Sequence, residues 1–200
     1  MALPQLKTKE SISTSLYASE ASHYTYADLL EWDENVRAEL HDGEVILMSP
    51  PVTKHQAILS ELFFLIKSYL QGKKGKVFPA PFGVRLFPEK DLSDNTVFEP
   101  DIVVVCDLEK LDERGCNGAP DMVIEIISPS SVKYDRVYKF RKYQQAGVRE
   151  YWIVDPDTKT VQVCMLENGR YVVSVYDETE KAAVSVLEGC EIDLSAVFAE

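Results

Sequence analysis

The sequence predicts an α+β domain, a central mixed β-sheet flanked by helices, with extra β-strands toward the C-terminal end. Three features carry that expectation. Between His55 and Leu70, apolar residues recur with a helical period at positions 58, 59, 62, 63, 65, 66 and 69. Short runs rich in β-branched residues, such as Val123-Ile124-Glu125-Ile126-Ile127, read as strands. Their order is helix, strands, helix, strand and further β structure, which is not the uninterrupted β-α-β alternation of a parallel sheet.

Residues 1–22 are polar and serine-rich and are expected to form a loose N-terminal arm, which leaves 23–200 as one domain. In "TYADLLEW", Thr25 stands as a helix N-cap with Asp28 three residues on. "AELHDGEVILMSP" reads as strand, Asp42-Gly43 turn, strand. The long helix that follows ends at Gly72. "KVFPAPFGVRLFP" and "TVFEPDIVVVC", joined by a polar turn through Asp94-Asn95, suggest a hairpin or meander. After the 121–127 strand, "SPSSVKYDRVYKFRKYQQAGV" is a helix that stops at Gly147. "EYWIVDPDTKTVQVCML" is a strand, a Pro156-Asp157 turn and another strand, and "RYVVSVYDE" and "AAVSVL" are expected to extend that sheet.

Two hundred residues with 46% hydrophobic content suffice for a full core. No run approaches the roughly 18 apolar residues of a membrane span, and the charged, hydroxyl-rich start lacks the apolar segment of an export signal. Cys106, Cys116, Cys164 and Cys190 are far apart, with no C-x-x-C pair and no clustered histidines. Reduced thiols in a cytoplasmic protein fit that spacing better than a zinc site does. Thirty-three acidic against 21 basic residues give a formal charge of −12, which argues against non-specific coating of nucleic acid. Lys133, Arg136, Lys139, Arg141, Lys142 and Arg149 are nevertheless concentrated in one stretch, either as a solvated helix face or as a local basic surface.

The chemistry starts from Glu125. Alternation along a strand puts it on one face with Val123 and Ile127, and an unpaired carboxylate buried there is costly. Asp101, after Pro100, heads the preceding strand; if the two strands pair, the carboxylates meet across the ladder. A hard divalent cation, Mg²⁺ foremost, relieves their repulsion. Lys139, on the next helix, can add positive charge near a reacting phosphate. A helical wheel at about 100° per residue sets Lys139 beside the apolar arc and leaves Lys142 further from it, toward solvent or a substrate backbone. Each residue also has a plainer reading, Asp101 as a turn aspartate and Tyr143 as core.

"DGEVILMSP", "FEPDIVVV", "GAPDMVIEIISPSS" and "YDRVYKFRKYQQAGVREYWIVDP" together resemble the Uma-type restriction-endonuclease-like family, a branch of the PD-(D/E)XK nuclease superfamily. The likeness runs from about Tyr24 to Val197. It implies a restriction-endonuclease-like core, with Asp101 and Glu125 as metal-binding acids and the Ile126 carbonyl as a backbone ligand. It also implies Glu44 as an additional acid near the site and His55 as a site histidine. Glu44 has the alternative of supporting the Asp42-Gly43 turn, and His55 that of packing at a helix start. One departure stands out: Ile127 occupies the position where the superfamily expects lysine, and Lys139 matches the lysine this family carries on the helix instead.

The expected activity is therefore Mg²⁺-dependent hydrolysis of phosphodiester bonds, with Mn²⁺ as a substitute ion and nucleic acid, DNA foremost, as substrate. The catalytic set is Asp101, Glu125 and Lys139, and homodimer formation stays open. A catalytically inactive, nuclease-derived module that binds nucleic acid or a protein is the rival, favoured by the absent lysine at 127 and the negative charge. A carboxylate-pair glycosidase is a third reading; it requires carboxyl groups at least about 5 Å apart and no shared ion.

Overall fold

The structure, a computed structural model, describes residues 23–33, 36–128 and 131–199. The expected arm at 1–22 lies outside the described residues. Helix α1 (Tyr26–Leu29) starts with the capping box foreseen at Thr25: its backbone N–H donates to Asp28 Oδ2 at 2.7 Å and its hydroxyl accepts from the Asp28 N–H. Strands β1 (Ala38–His41) and β2 (Glu44–Leu47) pair antiparallel around Asp42 and Gly43, both at positive φ as a tight two-residue hairpin requires. Helix α2 (Thr53–Tyr69) begins two residues before the histidine that marked its expected start.

Strands β3 (Lys76–Pro79), β4 (Gly83–Arg85), β5 (Val97–Phe98) and β6 (Ile102–Val105) keep the antiparallel pairing of the two extended runs but split it in a way the hairpin expectation did not foresee. Each extended run divides between two sheets: β3 pairs with β6, while β4 pairs with β5 in a separate layer. The runs break at Pro81 and Pro100, which lack the N–H a continuing ladder needs. A 3₁₀ turn (Leu108–Lys110) and β7 (Gly115–Asn117) lead to β8 (Met122–Ile126). The following helix is composite, with a wide π-helical stretch at Tyr134–Lys139 before α3 (Phe140–Ala146), which ends on Gly147 at φ 90°.

Strands β9 (Glu150–Asp155), β10 (Thr160–Glu167) and β11 (Arg170–Asp177) form a meander. β12 (Lys181–Val184) and β13 (Cys190–Asp193) form their own ribbon before α4 (Leu194–Val197), so "AAVSVL" does not extend the large sheet as expected, whereas "RYVVSVYDE" does.

The large sheet has the order β11-β10-β9-β8-β6-β3 and is mixed, with β8 and β9 parallel. A five-stranded sheet, β2-β1-β5-β4-β7, lies beside it. One face of the large sheet packs Ile102, Val104, Ile124, Ile126 and Trp152 against Ile58, Leu59, Leu62 and Ile66 of α2. The other face packs Val103, Val123, Ile127, Tyr151 and Ile153 against Tyr143 of α3 and Val84 and Phe98 of the small sheet. β8 is thus covered on both sides, which explains its nearly unbroken apolar sequence. Glu125 is the exception within it.

Candidate active site

The register of β6 and β8, with Ile102 opposite Ile124, sets Asp101 opposite Glu125 one step further along the ladder. Asp101 Oδ2 accepts a 2.8 Å hydrogen bond from the Ile126 N–H and lies 3.2 Å from His55 Nε2, at the start of α2. What faces Glu125 is a lysine and a tyrosine. Its Oε1 accepts from Lys139 Nζ at 2.9 Å and from the Tyr143 hydroxyl at 2.7 Å. The same ammonium lies 2.8 Å from Glu39 Oε1 and 3.8 Å from Asp135 Oδ1. Lys139 is 5% exposed, and Glu39, Glu125 and Asp135 are equally enclosed.

Glu39 and His41 were not among the residues the sequence singled out. They alternate on β1, so both point to the same face, and Glu39 Oε2 meets His41 Nε2 at 2.8 Å. The His41 ring stacks on Tyr138 with centroids 4.7 Å apart and meets Phe98 edge-on. Among the described residues, Nδ1 of both His41 and His55 is buried without a hydrogen-bond partner. Glu44 shares the face of Glu39 but sits on the edge strand beside the hairpin turn, where it is exposed. The acid that the first hairpin brings to Lys139 is Glu39. Lys142 pairs with Asp42, which also accepts from the Tyr138 hydroxyl at 2.9 Å, so it bridges to the hairpin turn and does not project freely into solvent.

The two carboxylates on Lys139 are displaced in opposite directions. Burial pushes Glu39 up, but Lys139 and the bond from His41 outweigh it and bring the carboxyl down to about 2. Burial also pushes Glu125 up, and with Asp135, Asp101 and Glu39 adding repulsion, Lys139 does not compensate; the carboxyl stays well above its ordinary range. Asp135 is likewise raised, mainly by burial. Lys139 loses charge stability through burial but is held protonated by Glu125, Glu39 and Asp135. Burial lowers His55, and contact with Asp101 more than reverses that.

The donor chemistry fits a hard cation. Asp101, Glu125 and the Ile126 carbonyl supply oxygen, and both bonds to Glu125 fall on Oε1. Glu39, Glu125 and Asp135 crowd around Lys139 and Asp101 adds its charge beside Glu125, an excess of negative charge that a divalent ion relieves. Among the described residues, no three His, Cys, Asp or Glu side chains form a ready-made metal cage. Mg²⁺ needs none, since it retains waters beside one or two carboxylates.

Residues 26–195 match the family model described as "Uma2: Putative restriction endonuclease". The chain belongs to the Uma2 family. It is similar to a Synechocystis protein named "Uncharacterized protein slr1290", with 27% identity over 158 residues, 77% of this chain and 80% of that protein. Its fold is that of a crystal structure from Anabaena variabilis described as "a putative nuclease belonging to DUF820". The two agree with a TM-score of 0.71 over 88% of this chain and 98% of the other, at 22% identity. The restriction-endonuclease-like core expected for the Uma2 family is therefore the fold of this chain. Among the described residues, no helix is long and apolar enough to cross a membrane.

Proposed function

We propose that this chain is a metal-dependent endonuclease that hydrolyses phosphodiester bonds of nucleic acid, DNA foremost. Membership of the Uma2 family supports the reaction class. The observation that carries the reading is the buried Lys139 ammonium, 2.9 Å from Glu125, delivered by a helix while Ile127 fills the strand position. A lysine there stabilises negative charge building on a phosphate as water adds to phosphorus and the ester P–O bond breaks. The Ile126 N–H fixes one Asp101 oxygen and the Tyr143 hydroxyl fixes one Glu125 oxygen, so both acids are held in orientation before substrate arrives. Asp101, Glu125 and the Ile126 carbonyl would hold Mg²⁺, or Mn²⁺ in its place. When bound, the ion would supply the charge that polarises the phosphate and activates water.

The test is cleavage of plasmid and single-stranded substrates with Mg²⁺ or Mn²⁺, beside Glu125→Ala. Metal-dependent cleavage lost in the variant is expected; cleavage unchanged in the variant rejects the assignment. The charge of −12 favours a second reading, a module that binds nucleic acid or a protein without cutting. Binding of labelled DNA with no product under either ion selects it.

A further inference from the structure

The two edges of the large sheet are built differently. β3 is four residues long, begins with Lys76 and ends with Pro79, and such charge, brevity and proline blunt an edge. β11 runs eight residues, and its interior, Tyr-Val-Val-Ser-Val-Tyr, has no charge, glycine or proline. Val172, Val173 and Val175 are 51%, 46% and 60% exposed. A long, apolar, open edge is a template for another strand. We propose that β11 pairs antiparallel with β11 of a second copy of this chain, joining the two large sheets edge to edge about a two-fold axis at Ser174.

Hydrogen-bond parity selects that register. The β10–β11 hairpin turns on Asn168 and Gly169, both at positive φ, so the closing pair Glu167 and Arg170 exchanges bonds across the hairpin. Even-numbered residues of β11 therefore bond to β10, and residues 171, 173, 175 and 177 turn their backbone groups outward. Two of these N–H groups are already engaged: Tyr171 donates to Gln144 Oε1 at 2.8 Å and Asp177 to Glu180 Oε2 at 2.9 Å. Among the described residues, the N–H groups of Val173 and Val175 have no such partner.

A two-fold axis normal to the sheet pairs only residues of equal parity. Centred on Ser174, it sets Val173 against Val175 of the second copy and the reverse, so each free N–H meets a free carbonyl. Centred on Val173 or Val175, it pairs the other valine with Tyr171 or Asp177, whose N–H groups are taken. The Ser174 axis confines those engaged groups to the outer Tyr171–Asp177 pairs and leaves the two central valine pairs intact.

Sedimentation velocity of the full metal-free chain tests the proposal without reference to catalysis. The parent should run at twice 22.6 kDa, and Val173→Lys and Val175→Lys should each run as monomers with an unchanged circular-dichroism spectrum. Ser174→Cys offers an independent readout, because a non-hydrogen-bonded antiparallel pair brings its Cα atoms within about 4.5 Å. Under mild oxidant it should give a covalent dimer, whereas Val172→Cys, set opposite Tyr176, should not. A monomeric parent overturns the proposal. So does a dimer that survives Val175→Lys and leaves Ser174→Cys uncrosslinked.

Discussion

The six-stranded sheet presents Asp101 and Glu125 from neighbouring strands, whereas the five-stranded sheet presents Glu39 and His41 from one strand, and Lys139 reaches both sheets from the helix. Glu39 is surrounded by donors: Lys139, His41 and the Glu99 N–H at 2.9 Å. Glu125 has Lys139 and Tyr143, and is flanked along its strand by Val123 and Ile127. One buried cation thus serves a carboxylate that remains ionised and another that takes a proton readily. The small sheet supplies a fixed counter-ion that holds Lys139 in position. The large sheet supplies the acid whose charge is least compensated, the one with most to gain from an added cation.

The strongest test of that division is catalytic. If Lys139 acts on transition-state charge, Lys139→Ala should lower kcat by about 10²–10³-fold, as loss of one preorganised charge stabiliser does elsewhere. Metal affinity, measured by calorimetry with Mn²⁺, should change little, since Lys139 is not among the proposed ligands. Metal affinity that collapses together with kcat would instead make Lys139 a support for the acids and remove the distinction between the two sheets.

The large-sheet half of this site is legible in the sequence and the small-sheet half is not. Pro100 marks the head of a strand, and Glu125 interrupts an apolar run, so each acid stands out locally. Lys139 is reachable by a helical wheel even though the π-helical stretch changes the true angles around it. Glu39 and His41 alternate with Ala38 and Leu40, which reads as a half-exposed strand with its polar side to water. All four residues are buried, because the π-helical stretch covers that polar side, a tertiary contact with no local signature. The division of two extended runs between sheets was hidden for the same reason: Pro81 and Pro100 announce breaks, but which sheet each half joins is decided by tertiary packing that leaves no local mark.

Stability should separate the two acids by sign. Removing one partner of a buried ion pair costs about 3–5 kcal/mol, so Glu39→Ala should lower metal-free stability by that order. Glu39 is depressed, so its contribution is present above its ordinary value of 4.5 and is lost as pH falls toward about 2. The deficit of the variant should therefore shrink in acid. Glu125 is raised, so its contribution is present below 4.5 and is lost as pH rises through the folded value. Glu125→Gln keeps an acceptor for Lys139 and Tyr143 and should raise the metal-free Tm by roughly 2–4 °C, the equivalent of about 1 kcal/mol in a chain this size. That advantage should widen with pH above 4.5. Thermal melts in chelator across pH measure both differences, and a Glu125→Gln variant that melts below its parent at neutral pH would contradict the assignment.

The smallest effect should come from Lys142, three residues beyond Lys139 on the same helix. Its partner, Asp42, is half-exposed at the tip of the first hairpin, its side chain 51% accessible. Ion pairs of that kind contribute about 0–1 kcal/mol. The Asp42 carboxyl is lowered against the push of its own partial burial, chiefly through the bonds from Lys142 and Tyr138, so Lys142→Ala removes one donor and leaves those from Tyr138 and Thr96. No carboxylate of the buried cluster is uncovered. Under the nuclease reading, kcat should stay within a few-fold of the parent while KM for DNA rises and its dependence on salt becomes shallower by about one phosphate contact. The comparison with Lys139 is then direct: two lysines separated by one helical turn, one acting on turnover and the other on binding. Steady-state kinetics at three salt concentrations decide it, and loss of turnover in Lys142→Ala with retention in Lys139→Ala would reverse the assignment.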